Sequence, residues 1–406
     1  MTIILTSSPN DFYDMTKDGD TLVIAPNVIF GFVMNNYQDA RIVNYGNMLN
    51  TSPHPAVWFT NGGGIFINEV EGVVTTEQTH PGFPAVRLSG APPATVINKG
   101  IMLSNSHGIS VTDNANNDSI VNSGHIYGLL NGIFVGATGA TNVTISNSGE
   151  IWGDANGIHV AFAVGAAPVI VNSGVIGGRA NAIVASDGDR LNVTNTGTLQ
   201  GNVVGVSVDQ SDSVVNNGKI IGYVGLGYGA DSYRGTGTVT GVILGEDGND
   251  SLSGGASVDR LFGGKGNDTL MGNGGNDIMN GHADNDRIFG GLGVDTLTGA
   301  EGKDTFVFDT APSSSNRDVI TDFSHLDDTI QLENAIFKSM GSGVLLSKYF
   351  YAGTKAHDAD DHVIYNKATG ALYYDSDGTG AHAQVQFATI SNHATAGLAY
   401  NDFLLV

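Results

Sequence analysis

The sequence predicts an all-β chain of stacked parallel coils, and three observations carry that prediction. Residues 245–307 fall into seven consecutive blocks of nine without an insertion. Across residues 90–225 the motif Asn-x-Gly recurs every 21–25 residues. The composition suits short strands and tight turns, with 58 glycines in 406 residues, 14% charged side chains and no cysteine. Units of both lengths are too short to bury a core alone, so each must stack on its neighbours.

The first ten residues carry a short apolar patch, Ile3-Ile4-Leu5, without a basic leader, a long apolar core or a cleavage site. They are not expected to form a cleaved signal peptide. Residues 10–45, including GDTLVIAPNVIF, are expected to start and cap the first solenoid, which is assigned to residues 1–240. Its repeat begins at Asn98, Asn122, Asn147, Asn172, Asn195 and Asn216, with a poorer copy at Asn44 and room for two irregular rungs between Asn44 and Asn98. An apolar residue follows four positions on (Met102, Ile126, Ile151, Ile176, Leu199, Ile220). At nine positions on stand His107, Asn131, Asn156, Asn181 and Val204, and at eleven Ile109, Ile133, Ile158, Ile183 and Val206. This reads as a right-handed parallel β-helix with asparagine ladders and Ile/Val columns inside; a β-sandwich of short strands is the alternative.

Aligned rungs place His125 beside Glu150 and Tyr127 beside Trp152 on the outer face, with His159 further along. Two aromatics, an imidazole and a carboxylate form a candidate glycan-contact patch; an exposed aromatic pair covering its neighbours is the plainer reading. Only eight Lys or Arg residues lie in 1–244, few for chemistry on uronates, and neither His54-Pro55 nor His80-Pro81 forms an Asp-Pro-His motif. No catalytic residue is assigned.

In the nonapeptide array each column has a cause. Position one is always glycine. Position six is always aspartate: Asp250, Asp259, Asp268, Asp277, Asp286, Asp295 and Asp304. Position eight is always apolar: Leu252, Leu261, Leu270, Met279, Ile288, Leu297 and Phe306. The apolar residue points inward from a three-residue strand, and the glycines permit positive φ and close backbone approach. Two blocks make one coil, so aspartates eighteen residues apart face each other. The array carries a net charge of −7 in 63 residues, within a chain whose formal charge is −23. Parallel rows of carboxylates about 4.8 Å apart repel, and one apolar residue in nine cannot offset chain entropy. Such a segment folds only with a cation, and an oxygen-rich turn suits calcium. The candidate ligands are the seven aspartates with the turn residues Gly248, Asn249, Gly266, Asn267, Gly275, Asn276, Asp284, Asn285, Gly293 and Gly302. Three gaps between coils on one side and two on the other predict about five ions. Ser257, standing where the turn favours glycine, makes the second block the weakest.

This array, GEDGNDSLS to GAEGKDTFV, resembles the RTX (repeats-in-toxin) family with its GGxGxDxUx pattern. The resemblance implies a parallel calcium β-roll in a protein exported by type I secretion from a Gram-negative bacterium. The region after the array is assigned to residues 308–406. RDVITDFSHLDDTIQL (317–332) is similar to the segment that covers the last coil in that family. HVIYNKATGALYYDSDGTG (362–380) reads as two strands around a turn at 367–370, with either a plain turn or an extra calcium at Asp375 and Asp377. The ending Asn401-Asp402-Phe403-Leu404-Leu405-Val406 is similar to an uncleaved C-terminal export signal.

Three functions follow as expectations. The first is a secreted calcium-binding protein whose roll drives folding outside the cell, with the β-helix touching polysaccharide or a cell surface. The second is a polysaccharide-active enzyme (lyase, C5-epimerase-like or glycoside hydrolase), and the third a toxin or effector. Nucleic acid is disfavoured by 40 acidic against 17 basic residues. No stretch approaches the roughly 20 apolar residues of a membrane helix, so a soluble chain is expected. No nucleotide loop, HExxH or GxSxG motif is present.

Overall fold

The computed structural model describes residues 210–406 in full. Before them it describes all but residues 1, 6–12, 16–17, 27, 31–32, 36, 38, 52–53, 61–62, 77–81, 91–92, 113–116, 137–141, 162–167, 187–188 and 208–209. His80-Pro81 lies outside the described residues. The chain divides into two compact units, Met1–Tyr228 and Gly229–Val406.

The first unit is a parallel solenoid with three strand columns. One column runs through Ala40–Asn44, Gly64–Asn68, Ala94–Asn98, Ser119–Asn122, Thr144–Asn147, Val169–Asn172, Asn192–Asn195 and Ser213–Asn216. A second runs through Asn47–Asn50, Val73–Thr76, Ile101–Ser104, His125–Gly128 and Glu150–Gly153. The third includes Val57–Phe59, Val86–Ser89, His107–Thr112, Asn131–Val135 and Asn156–Val160. The apolar residue four positions after each asparagine is fully buried, as are Ile109, Ile133, Ile158 and Ile183.

The asparagines form a buried amide ladder. Nδ2 of Asn44 donates to Oδ1 of Asn68, and the same bond repeats through Asn98, Asn122, Asn147, Asn172, Asn195 and Asn216 at 2.7–2.8 Å. The glycine two residues later is needed because a Cβ on Gly124 would lie 2.1 Å from the carbonyl of Gly100. Asn68 carries the rung that the motif search passed over. Its turn glycine is Gly72, four residues on, and accepts from Asn68 at 3.1 Å. The fifth repeat is also corrected. Register shifts in Thr198–Ser207 place Asn202 opposite Asn181 and Val203 opposite Ile183, where uniform spacing put Val204 and Val206. The shorter 21-residue repeat is absorbed there, whereas the 23-residue repeat is shortened between Ala185 and Asn192.

The second unit is a two-column roll. Strands Ser251–Ser253, Thr269–Met271, Arg287–Phe289 and Thr305–Phe308 stack in parallel, and so do Ile243–Asp247, Arg260–Lys265, Ile278–Ala283 and Thr296–Glu301. All seven position-eight side chains are fully buried. Segment 317–332 extends both columns: Ile320 registers on Leu297 and Ile330 on Phe306. The C-terminal strand Phe403–Leu405 then pairs with Thr329–Leu332, and Val385–Ile390 with Asp318–Ile320. Val363–Asn366 and Ala371–Tyr374 form the expected antiparallel hairpin. Among the described residues no helix is long and apolar enough to cross a membrane.

Candidate metal centre

All seven position-six aspartates are buried, and the backbone dictates how. In six of the seven, Oδ1 accepts the N–H of the aspartate one coil earlier: Asp231 to Asp250, Asp250 to Asp268, Asp268 to Asp286 and Asp286 to Asp304 on one side, at 2.8–2.9 Å. On the other side Asp259 donates to Asp277 and Asp277 to Asp295, at 2.7–2.8 Å. The second oxygen turns back over its own position-one glycine. A Cβ on Gly245 would lie 2.1 Å from Asp250 Oδ2, and one on Gly281 would lie 1.9 Å from Asp286 Oδ2. Position one is therefore glycine to make room for its own carboxylate.

Oδ2 of Asp250, Asp268, Asp277, Asp286, Asp295 and Asp304 meets no hydrogen-bond donor. A buried carboxylate oxygen without a partner is costly. Burial pushes Asp250 up to about 6, Asp268 and Asp277 to about 7 and Asp286 to about 8, with neighbouring carboxylates adding and the bonded N–H opposing. Next to the free oxygen lies a carbonyl of the following coil. Gly263 O is 2.6 Å from the Cβ position of Gly245, and Gly290 O is 2.5 Å from that of Gly272. Carboxylate and carbonyl oxygens converging without a donor fit a hard divalent cation, and calcium above all.

The turn residues divide into two roles. Gly248, Gly266, Gly275, Gly293 and Gly302 take φ between 113° and 152°, and Asp284 takes 76°. They bend the chain so that successive turns face one another. The asparagines at position five do something else. Oδ1 of Asn249, Asn267 and Asn285 accepts the N–H of Asn267, Asn285 and Lys303, and Asn276 serves Val294, at 2.8–3.0 Å. Those side-chain oxygens bind coil to coil. In the second block Ser257 does not adopt positive φ, and Asp259 Oδ2 accepts the N–H of Gly255 at 2.7 Å.

Three aspartates of this ladder lay outside the repeat phase. Asp231 is buried one coil before Asp250. Its only sequence signal is the Gly229-x-Asp231-x-Tyr233 fragment, nineteen residues ahead rather than eighteen. Asp318 and Asp328 accept from Asp295 and Asp304, each at 3.1 Å. Elsewhere in this unit Asp375 Oδ1 accepts the N–H of Asp377, and Asp377 Oδ2 accepts from the ring of His382. His357, Asp358 and Asp361 bring ligand atoms within 4.8 Å of one another, but Asp361 Oδ2 is occupied by two backbone N–H groups.

On the first unit, His125 Nδ1 lies 2.9 Å from Glu150 Oε2, and Tyr127 is in register with Trp152. Tyr127 donates to Asp154 at 2.7 Å, and the Arg179 guanidinium stands 3.5 Å from the same carboxylate. Leu103, Tyr127 and Trp152 line one shallow groove with His125 and Glu150. His159 is not among its walls. It sits on another strand, against Phe134 and 2.7 Å from Ser186 Oγ, because its position registers with Phe134 in a different column.

The RTX calcium-binding nonapeptide repeat family, in four copies, matches residues 240–270 and 271–306. No curated protein matches the chain. Among solved structures, a subunit of the Azotobacter vinelandii mannuronan C5-epimerase is 25% identical over 41% of this chain and 80% of its own. Its TM-score of 0.23 is too low to argue from. The chain carries RTX calcium-binding nonapeptide repeats within a parallel β-solenoid architecture.

Proposed function

We propose that this is a secreted calcium-binding protein whose roll folds on reaching extracellular calcium and promotes folding of the β-helix, itself a contact surface for polysaccharide or cells. The observation that carries the calcium part is the row of six buried carboxylate oxygens without a donor. Cytosolic calcium lies far below millimolar, so such a roll stays unfolded before export and folds outside. About five ions fill the gaps between repeat coils. Refolding the full chain from denaturant tests this. Millimolar calcium should restore strand structure to both units, and equal refolding in calcium and in chelator overturns the reading. Export by type I secretion is tested by deleting 391–406, which should abolish release from a competent Gram-negative host.

The contact surface rests on the Leu103, Tyr127 and Trp152 ribbon, whose ring faces are suited to stacking against sugar rings. Its polar edge is already paired, His125 with Glu150 and Arg179 with Asp154, which favours holding a glycan over cleaving it. Trp152→Ala should lower binding on a glycan array at least about tenfold, the loss expected for roughly 1.4 kcal/mol of stacking. Unchanged binding to every glycan removes the proposal, and product release from a uronan favours the enzyme reading instead.

A further inference from the structure

The repeats end at residue 307, yet both carboxylate rows run on by one coil, Thr329 N–H donating to Asp304 O at 2.8 Å on one side and Asp318 following Asp295 on the other. Val319 N–H donates to Asp295 O at 2.7 Å, as Thr296 N–H does to Asp277 O at 2.8 Å one coil earlier. Asn316 Oδ1 accepts the N–H of Gly293 at 2.8 Å. Asp318 is thereby set one coil beyond Asp295, although twenty-three residues separate them in sequence. It is buried and accepts the Asp295 N–H on Oδ1.

The second oxygen of Asp318 lands where the repeat turns place a carbonyl. Around the Cβ position of Gly272 stand Asp277 Oδ2 at 2.4 Å and Gly290 O at 2.5 Å. Around that of Gly290 stand Asp295 Oδ2 and Asp318 Oδ2, both at 2.7 Å. Asp295 is fully buried, and its Oδ2 meets no donor. Two buried carboxylates aimed at one point repel strongly unless a cation or a shared proton sits between them. Replacing a neutral carbonyl by a carboxylate adds one negative charge to an otherwise equivalent oxygen set, which suits calcium.

The opposite row ends differently. Asp328 accepts the Asp304 N–H on Oδ1 and the Ser324 N–H on Oδ2, at 3.1 and 2.8 Å. Both its oxygens are used. Asp328 therefore brings no free oxygen to this end, although Asp304 Oδ2 itself meets no donor.

We propose that Asp318, outside the repeats, completes a further calcium site with Asp295 at the last coil, whereas Asp328, both of whose oxygens are bonded to backbone N–H groups, is not a calcium ligand. This rests on the calcium reading of the roll. Native mass spectrometry of the full chain in saturating calcium tests it. D318N, whose amide oxygen can still accept the Asp295 N–H, should carry one ion fewer than wild type, and D328N the wild-type number. D318N with the wild-type number overturns the proposal, as does D328N losing an ion as well. Crystals of the calcium-loaded wild-type chain give a second, variant-free measurement. An anomalous peak between Asp295 and Asp318 is expected, and peaks confined to the repeat turns overturn the proposal. A wild-type chain that takes up no calcium overturns the underlying reading too, and so is distinguishable from either result.

Discussion

The two units each contain a buried ladder of side chains related by one turn of the coil, and the ladders differ by a single group. In Met1–Tyr228 the rungs are asparagines, and in Gly229–Val406 they are aspartates. An amide has a donor and an acceptor, so Asn147 gives its N–H to Asn172 and accepts one from Asn122, both at 2.8 Å. The ladder closes on itself. A carboxylate only accepts. Asp277 takes one N–H from Asp259 and has an oxygen left over. The first ladder is complete as protein. On the proposed calcium reading the second is complete only with a cation, so its folding should be conditional.

Removing calcium is the largest test of this contrast. In chelator, amide exchange across 245–307 should accelerate by at least about 100-fold, since one site held at 100 times its Kd contributes about 2.7 kcal/mol. Strands around Asn98, Asn122 and Asn147 should keep their protection. Equal loss in both ladders would break the comparison.

Exchanging the chemistries should have the next largest effects. Asn147→Asp removes the bond to Asn172 and the donations to Gly149 O and Val175 O. It also buries an unpaired charge, and should cost about 3–5 kcal/mol in urea unfolding of the calcium-loaded chain. A midpoint within error of wild type would show that the donor is dispensable. Asp277→Asn sharpens the converse. Calorimetric calcium affinity should fall about tenfold, one lost charged ligand being worth roughly 1.4 kcal/mol. The chelated variant should be more structured than chelated wild type, because one repulsive charge is gone.

The smallest effect is on pH dependence. Burial, with His159 nearby, lowers His107 to about 4. Its folded value lies below the unfolded one near 6.5, so the unfolded chain takes the proton first. The contribution of His107 should fall as pH drops from about 6.5 to 4, whereas Asp118 and Asp212 of the same unit, raised by burial to about 7, contribute in the opposite sense and lose that contribution as pH rises toward 7. The roll aspartates are raised as well, Asp286 to about 8. Without calcium, their contribution is fully present below the unfolded value near 4 and is lost as pH rises through 6–8. Circular dichroism in chelator should therefore show the roll gaining structure on acidification. A roll that gains no structure on acidification in chelator would contradict the assignment.

Much of this was legible because both solenoids are built from local periods. The nine-residue phase marks the buried column from Leu252 to Phe306, and the Asn-x-Gly phase marks the columns through Ile126 and Ile151. Where the chain lengthens a turn, the phase disappears while the ladder continues. Asn68 was hidden by two extra residues before Gly72, and Asp318 by the excursion after the last repeat. The register shift that puts Asn202 in the place of Val204 has the opposite origin, a shortened segment.

The sequence by itself determined the all-β solenoid class, the aspartate columns and the need for a counter-ion, since side-chain alternation and charge density are local properties of the chain. Only the tertiary structure decided which carboxylate oxygens are left without a donor. Asp259 and Asp277 occupy the same repeat position, yet Asp259 Oδ2 receives the Gly255 N–H and Asp277 Oδ2 receives none. The reason is physical. A carboxylate is satisfied by whichever N–H groups the turns and adjacent coil bring within about 3 Å, and their positions follow from stacking and turn conformation rather than from repeat position alone.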